Sequence, residues 1–240
     1  MRILVTGGLG FIGSNFILKL LNENNEYDVI NVDAELYGSN MKNLSELENH
    51  DNYEFVKGNI TNKRLMEDLI SKCDAVINFA AESHVDRSIS DPNSFLVSNI
   101  RGTFTILDVI TKQKKKLVQI STDEVFGSLK SGNANEESVF NPSSPYAATK
   151  ASAELLVKSY SKTFNSDVII TRCTNNYGPR QFPEKLIPKT IILAKQNKKI
   201  PVYGKGNNIR DWIHVDDHNN VLISLLKDGK VGEVYNIGTN

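Results

Sequence analysis

A glycine-rich turn directly after the first strand constrains the fold of this chain more than any other feature. The apolar run Arg2–Thr6 predicts a buried strand, and Gly7, Gly10 and Gly13 lead from it into an apolar helix over residues 14–22. In this order Gly7 permits a tight turn, Gly10 lets the backbone approach a pyrophosphate, and Gly13 lets the helix pack on the strand. We therefore predict an α/β fold, a Rossmann-like doubly wound parallel sheet.

Further strand ends support a dinucleotide site. The second predicted strand ends at Asp33, about twenty residues after the glycines, where a carboxylate is expected to hold the adenosine ribose. Its charge would repel a 2′-phosphate, which favours NAD over NADP. The alternative is that Asp33 only caps a turn or helix. Asn59, at the exit of the third strand, is expected near the adenine. The fourth strand is predicted over residues 75–81, and the small residues Ala80 and Ala81 at its end leave room for a cofactor.

Two adjacent carboxylates follow another predicted buried strand, Lys116–Ser121. Thr122, Asp123 and Glu124 come directly after it, at the sheet edge where open α/β folds place their ligands. Neighbouring carboxyl groups that point different ways can have different pKa values, as acid and base chemistry in one site requires. The alternative is that both are solvated loop charges or a helix cap.

A tyrosine and a lysine share one face of a later helix. Tyr146 and Lys150 are four residues apart, with Ser144 as the expected N-cap and Pro145 as the first helical residue. A nearby ammonium group and the helix N-terminus should lower the pKa of the phenol, which could then act as a base. Taken alone, the spacing favours the alternative of an ordinary helix-face tyrosine and a solvated lysine.

Composition excludes several functional classes. Twenty-eight basic and twenty-eight acidic residues cancel, so we expect neither nucleic acid nor an anionic membrane as a partner. We expect no signal peptide, no membrane-spanning run and no metal site. Cys73 and Cys173 lie in apolar surroundings and are predicted to be free thiols, which indicates a reducing, cytoplasmic location.

Taken together, these motifs give a family resemblance. The chain resembles the nucleotide-sugar 4,6-dehydratases of the extended short-chain dehydrogenase/reductase superfamily, and most narrowly those that act on dTDP-glucose. Besides the glycine turn and the Tyr146–Lys150 pair, the resemblance rests on residues 80–88, 122–124, 175–179, 182–188 and 209–212. Two departures are Phe126, where the family usually has tyrosine, and Asn59, where it usually has aspartate.

The resemblance implies a role for each candidate catalytic residue. Tyr146 would take the proton of the sugar 4-hydroxyl as NAD takes the C4 hydride, with Lys150 and Thr122 in support. Glu124 would remove the C5 proton while Asp123 protonates the departing 6-hydroxyl. The hydride would then return to C6, so that NAD is regenerated in each turnover.

The resemblance also implies the binding positions. Those for the cofactor are Gly7, Gly10, Phe11, Ile12, Gly13, Asp33, Asn59, Ile60, Ala80, Ala81, Ser98, Tyr146, Lys150 and Asn176. Those for the substrate are Ser83, Thr122, Asn175, Lys185, Leu186, Pro201, Val202, Tyr203 and Arg210. Lys185 and Arg210 are cations suited to a diphosphate.

The resemblance further implies a division into domains and a homodimer. Residues 1–176 plus 211–240 would form the NAD-binding domain, and residues 177–210 part of a small substrate-binding cap that is C-terminally incomplete, since family members continue further. Apolar faces on the helices over residues 98–112 and 146–164 would form the dimer interface. Two alternatives stay open: a UDP-sugar epimerase or decarboxylase of the same fold, and a non-catalytic NAD-binding module.

Overall fold

The computed structural model describes residues 1–23, 26–129, 131–202 and 204–239. Seven parallel strands form one sheet in the order β3-β2-β1-β4-β5-β6-β9, and β7 and β8 form a small two-stranded parallel sheet. The strands are β1 (Arg2–Thr6), β2 (Asp28–Asp33), β3 (Tyr53–Lys57), β4 (Ala75–Asn78), β5 (Lys116–Thr122), β6 (Val168–Cys173), β7 (Asn175–Tyr177), β8 (Trp212–His214) and β9 (Val234–Ile237).

Helices follow most of the strands. They are α1 (Phe11–Glu23), α2 (Lys63–Ser71), α3 (Val85–Ser90), α4 (Pro92–Phe95), α5 (Gly102–Gln113), α6 (Pro145–Phe164), α7 (Leu186–Lys195) and α8 (Val215–Asp228). Two 3₁₀ segments, Met41–Leu47 and Asp123–Phe126, and one π-helical segment, Leu96–Arg101, complete the regular structure. Among the described residues, no helix combines the length and apolar character needed to cross a membrane.

The sheet is doubly wound, as the sequence predicts. Ile3 and Val5 belong to one apolar core and Leu4 to the other, because successive side chains of a strand point to opposite faces. Helices α1 and α8 contribute to the first core, whereas α2, α5 and α6 contribute to the second. Burying one such leucine or isoleucine stabilises the fold by about 1.5–3 kcal/mol.

The strand order reverses between β1 and β4. β1 pairs with β2 on one side and with β4 on the other. The connections after these two strands therefore diverge at the carboxyl edge of the sheet and leave a crevice, which is where open α/β sheets bind their ligands.

Element boundaries differ from the prediction at two ligand-facing places. Strand β4 ends at Asn78, because the next residues turn inward and the Ala80 amide donates to the Thr6 hydroxyl at 3.2 Å. The helix predicted from residue 98 begins as a π segment. Within it, Asn99 donates to the Glu82 carbonyl oxygen at 3.0 Å and to the Thr149 hydroxyl at 2.9 Å. Such π turns are frequent at functional sites.

Candidate active site

One continuous cleft of about 510 Å³ lies at the carboxyl edge of the sheet. Every cofactor position named above lines it, together with Asp123 and Glu124. Of the substrate positions, those that line the cleft are Ser83, Thr122, Asn175, Lys185, Leu186 and Arg210. Pro201 and Val202 are exposed and do not line it, and Tyr203 lies outside the described residues. The predicted residues converge on one cavity, while their individual roles stay predictions.

The glycine turn forms one wall of this cleft and leaves no space for side chains. Gly7 has a φ of +70°, and a Cβ there would lie 2.6 Å from the Ala80 amide nitrogen. A Cβ on Gly13 would lie 2.6 Å from the Gly7 carbonyl oxygen. A Cβ on Gly10 would meet that oxygen at 3.3 Å, a tight contact but less severe than the other two. Helix α1 begins here, and its N-terminus suits an anionic group.

Asp33 holds two loops together and also lines the cleft. Its Oδ2 accepts from the Leu9 amide at 3.0 Å, and its Oδ1 accepts from the Ser39 hydroxyl at 2.9 Å and the Glu35 amide at 2.8 Å. The carboxylate thus fixes the glycine turn and the loop after β2. It also lines the cleft, so it is placed for a ribose as well.

Asp123 and Glu124 begin the 3₁₀ turn after β5. The Thr122 hydroxyl caps this turn, since it accepts from the Glu124 amide at 3.3 Å and donates to the Asp123 carboxylate at 3.2 Å. Burial raises the pKa of both carboxyl groups, and the charge of Asp123 raises the pKa of Glu124 further. Lys185 and Arg210 oppose the rise at Glu124. Both side chains are half-buried and line the cleft, and they lie in the first turn of the 3₁₀ segment, so their catalytic role stays a prediction.

Tyr146 and Lys150 lie on the first two turns of α6. The Ser144 hydroxyl accepts from the Ala147 amide at 3.1 Å, so the predicted N-cap is confirmed. Both side chains are buried, which contradicts the alternative of a solvated lysine. The Lys150 Nζ donates to the Ile120 carbonyl oxygen at 2.6 Å, and burial lowers its pKa to about 8.

The prediction that Lys150 and the helix end lower the pKa of Tyr146 is wrong for this structure. Burial raises that pKa, and the charge of Glu124 adds to the rise. The Thr122 hydroxyl acts in the opposite direction but is outweighed. The charges of Glu124 and Asp123 thus raise the pKa of Tyr146 directly, because the three side chains lie in one cleft from which much of the water is excluded.

A second group of residues at the cleft was not among the predicted site residues, although three of its members lie in the segments that carry the family resemblance. The Tyr37 hydroxyl donates to Glu184, and His84 Nε2 lies 3.0 Å from Glu184 Oε1. The Arg87 guanidinium lies over the Tyr37 ring at 3.8 Å from its centroid. Tyr37 and Glu184 are 147 residues apart in the chain. Local sequence patterns therefore do not predict their contact.

Comparison with known proteins gives the family. A family model described as GDP-mannose 4,6 dehydratase matches residues 4–240. The chain belongs to this family. Among its relatives, a low-salt glycan biosynthesis protein of Haloferax volcanii is 48% identical over 240 residues, which are 100% of this chain and 77% of that protein.

Two solved structures of the same family show the same fold. A dTDP-glucose 4,6-dehydratase from Bacillus anthracis in complex with NAD has a TM-score of 0.93 at 49% identity, covering 100% of this chain and 76% of that one. The corresponding enzyme from Streptomyces venezuelae, also with NAD bound, has a TM-score of 0.96 at 43% identity, covering 99% and 75%. The chain therefore spans about three quarters of the length of these relatives.

The family's cofactor fits the residues around the cleft. Gly7, Gly10 and Gly13 line the cleft at the N-terminus of α1, which suits a pyrophosphate. The Asp33 carboxylate at the end of β2 suits a ribose, and the buried pair Tyr146 and Lys150 lies farther along the same cleft.

Proposed function

We propose that this chain catalyses the NAD-dependent dehydration of dTDP-glucose to dTDP-4-keto-6-deoxyglucose. The observation that carries the proposal is that one cleft contains Tyr146 and Lys150 together with a separate carboxyl pair, Asp123 and Glu124. A simple oxidoreductase needs the first pair, whereas loss of water needs an additional acid and base. The dTDP-glucose 4,6-dehydratases among the relatives support the choice of reaction.

The proposed chemistry divides among these side chains. Tyr146 accepts the proton of the sugar 4-hydroxyl, and the resulting ketone acidifies the hydrogen at C5. Glu124 removes that proton while Asp123 donates one to the departing 6-hydroxyl, so water leaves. NAD, when bound, supplies the hydride acceptor for C4 and returns the hydride to C6.

The raised pKa values suit some of these roles and constrain others. Burial raises the pKa of Asp123, the direction that suits a general acid. The ionised Glu124 raises the pKa of Tyr146, so neutralising that carboxylate makes the phenolate easier to form. Burial lowers the pKa of Lys150 to about 8, so its ammonium group releases a proton more readily than an exposed lysine does.

The diphosphate of the substrate would bind between Lys185 and Arg210, which both line the cleft. Lys185 is largely shielded, and burial lowers its pKa, an effect that a nearby diphosphate would reverse. Leu186 lies beside it at the start of α7. Contacts of Pro201, Val202 and Tyr203 with the nucleotide stay predictions.

The decisive experiment is incubation with dTDP-glucose and NAD in deuterated water. We expect mass spectrometry to show a product that has lost one water and carries deuterium at C5. Glu124→Gln and Asp123→Asn should reduce product formation by about 10²–10⁴-fold. Glu137→Gln, an exposed carboxylate change outside the cleft, is the matched control.

Two other outcomes would each contradict the proposal. Turnover of a UDP-sugar without deuterium at C5 would identify an epimerase. Binding of NAD by calorimetry, with neither binding nor turnover of any sugar nucleotide, would identify a non-catalytic module.

We also propose that the protein is a homodimer through the outer faces of α5 and α6. Phe104 on α5 and Leu155 and Phe164 on α6 are about half exposed. The Tyr160 ring joins this surface, with its centroid 6.4 Å from that of Phe104 and 5.0 Å from that of Phe164. An exposed apolar patch of this kind is typical of an association surface.

The domain division and the location are proposals as well. We propose residues 1–176 plus 211–240 as the NAD-binding domain and residues 177–210 as part of the substrate cap, since helix α7 within that segment contains no fully buried residue. We propose a cytoplasmic location because Cys73 and Cys173 are both buried free thiols. Limited proteolysis and cell fractionation test these two points.

A further inference from the structure

A fully buried ion pair lies next to the candidate active site and was not among the predicted site residues. Arg172, on β6, donates from Nε to both carboxylate oxygens of Glu154, at 3.2 and 3.0 Å, and from Nη2 to Oε2 at 2.9 Å. Both side chains have an exposed fraction of 0%. The guanidinium group and the carboxylate thus form a chelate that fixes the orientation of both partners.

The same guanidinium group contacts two further segments. Its Nη1 donates to the Glu136 carbonyl oxygen at 3.1 Å. The Phe126 ring lies against it at 4.9 Å, and the Phe140 ring at 5.0 Å, measured from the ring centroids to Cζ. One cation therefore joins β6, α6, the 3₁₀ turn that ends at Phe126, and the loop that leads to α6.

This position connects the two halves of the proposed catalytic machinery. Glu154 lies four residues after Lys150 and eight after Tyr146 on α6, so the three side chains share one helix face. Phe126 ends the 3₁₀ turn that begins with Asp123. A rigid link from Glu154 through Arg172 to Phe126 therefore spans from the phenol and lysine to the acid and base.

Hydrophobic packing alone would not require such a link. A buried ion pair is seldom more stabilising than well-packed apolar residues of similar volume, because both charges must be desolvated. The bidentate hydrogen bonds between Arg172 and Glu154 fix the relative orientation of the two side chains. Apolar contacts, which are not directional, impose no such orientation. Here the ion pair lies between the Tyr146–Lys150 pair and the Asp123–Glu124 pair. In the proposed reaction the first pair acts at C4 of the sugar and the second at C5 and C6.

We propose that Arg172 and Glu154 are positioning residues that hold the Asp123–Phe126 turn at a set place relative to Tyr146 and Lys150. The inference rests on the proposed dehydration. Its specific consequence is that loss of the pair slows the elimination of water more than the preceding oxidation at C4.

The deciding variant is the double substitution Arg172→Met with Glu154→Met. It removes both charges together, so no buried charge is left without a partner, as would happen in either single variant. Thermal unfolding and NAD binding by calorimetry should stay close to those of the parent chain. The exposed ion pair between Arg2 and Glu54 offers a matched control through Arg2→Met with Glu54→Met.

Stopped-flow nicotinamide absorbance with dTDP-glucose separates the two steps. In the Arg172→Met/Glu154→Met chain we expect reduced nicotinamide to form and persist, while water loss and deuterium uptake at C5 fall on the order of 100-fold. The control double variant should behave like the parent. Parent-like water loss in the folded variant, or an equal slowing of reduction and elimination, would overturn the proposal.

A second variant keeps the test decisive if the double variant does not fold. Phe126→Leu leaves the ion pair intact but removes the ring that lies against the guanidinium group. It should show the same persistent reduced nicotinamide, and Phe126→Tyr, which keeps the ring, should not. Absence of the signal in Phe126→Leu contradicts the proposal. A parent chain that neither reduces nicotinamide nor loses water would instead refute the proposed function, and the inference with it.

Discussion

At the scale of single residues, His218 shows how a buried side chain fixes a wall of the cleft. Its ring, on α8, is fully buried, and Nδ1 lies 2.9 Å from Oδ1 of Asn176. Because an amide oxygen can only accept, Nδ1 carries the proton of the neutral ring. Nε2 has no partner among the described residues, and burial lowers the pKa of His218 to about 4.

This pKa predicts loss of stability in acid. Between about pH 6.5 and 4 the unfolded chain binds a proton at this histidine that the folded chain does not bind, so the free energy of unfolding falls as the pH falls. The contribution of His218 is roughly 3 kcal/mol across this range. Urea unfolding at several pH values should show that His218→Gln is less dependent on pH than the parent. An unchanged slope would contradict the prediction.

The carboxyl group of Asp123 has the opposite effect on stability. Because burial raises its pKa, the folded chain holds a proton there more tightly than the unfolded chain does. Stability is therefore lost as the pH rises above the usual range of an aspartate. We expect Asp123→Asn to raise the free energy of unfolding at neutral pH by about 1 kcal/mol while water loss falls by about 10²–10⁴-fold. Thermal unfolding measures this, and Asp51→Asn, at an exposed position, should cause neither change.

At the scale of elements, two glycines of the turn between β1 and α1 have different roles, one in packing and one in ligand contact. A Cβ on Gly13 would lie 2.6 Å from the Gly7 carbonyl oxygen, so glycine is needed there for the helix to pack on the strand. A Cβ on Gly10, which lines the cleft, would meet only that oxygen, at 3.3 Å. The two glycines belong to one motif but should respond differently to the same added methyl group.

A pair of alanine variants tests this difference. Gly13→Ala should lower the free energy of unfolding by about 1–3 kcal/mol, because the backbone must shift, and should also weaken NAD binding. Gly10→Ala should change the stability by no more than about 0.5 kcal/mol and still weaken NAD binding, since its methyl group would project toward the pyrophosphate. Chemical unfolding and calorimetry give the two quantities. Equal destabilisation by both changes would contradict this assignment.

At the scale of the whole molecule, the proposed dimer surface and the cleft lie on different parts of the fold. Phe104 on α5 and Leu155 and Phe164 on α6 are exposed, while Tyr146 and Lys150 on α6 are buried. Leu155 lies on the side of α6 opposite Tyr146, and Phe164 lies at the C-terminal end of the helix, away from the cleft residues at its N-terminus.

A charge in the patch should therefore break association without emptying the cofactor site. We expect Phe104→Glu to weaken self-association on the order of 100-fold, because two-fold symmetry brings like charges together in an apolar surface. Analytical ultracentrifugation measures the association, and calorimetry should show NAD binding close to that of the parent. Val231→Glu, at an exposed apolar residue outside the patch, is the control. A parent chain that sediments as a monomer would contradict the dimer.

Local patterns were sufficient to predict most of the fold and which residues meet at the cleft. The glycine turn, the apolar strands and the four-residue spacing of Tyr146 and Lys150 depend on neighbours in sequence. In a parallel doubly wound sheet, the ends of all strands then converge at one edge. For this reason Gly10 and Glu124 could be assigned to one edge of the sheet from local patterns, whereas Asn176 was assigned to the same site by the family resemblance.

Burial and long-range pairing were decided only by the tertiary structure. The pKa of Tyr146 is raised and not lowered, because the desolvation and the nearby carboxylates that determine it come from other elements. His218 reaches Asn176 across 42 residues, and Arg172 reaches Glu154 across 18, with no periodicity to indicate either contact. The sequence by itself determined which elements form and where their ends meet, since those depend on local apolar patterns and turn residues. The folded packing alone decided which charges lose water and which partners they find, since both depend on the arrangement of all the elements together.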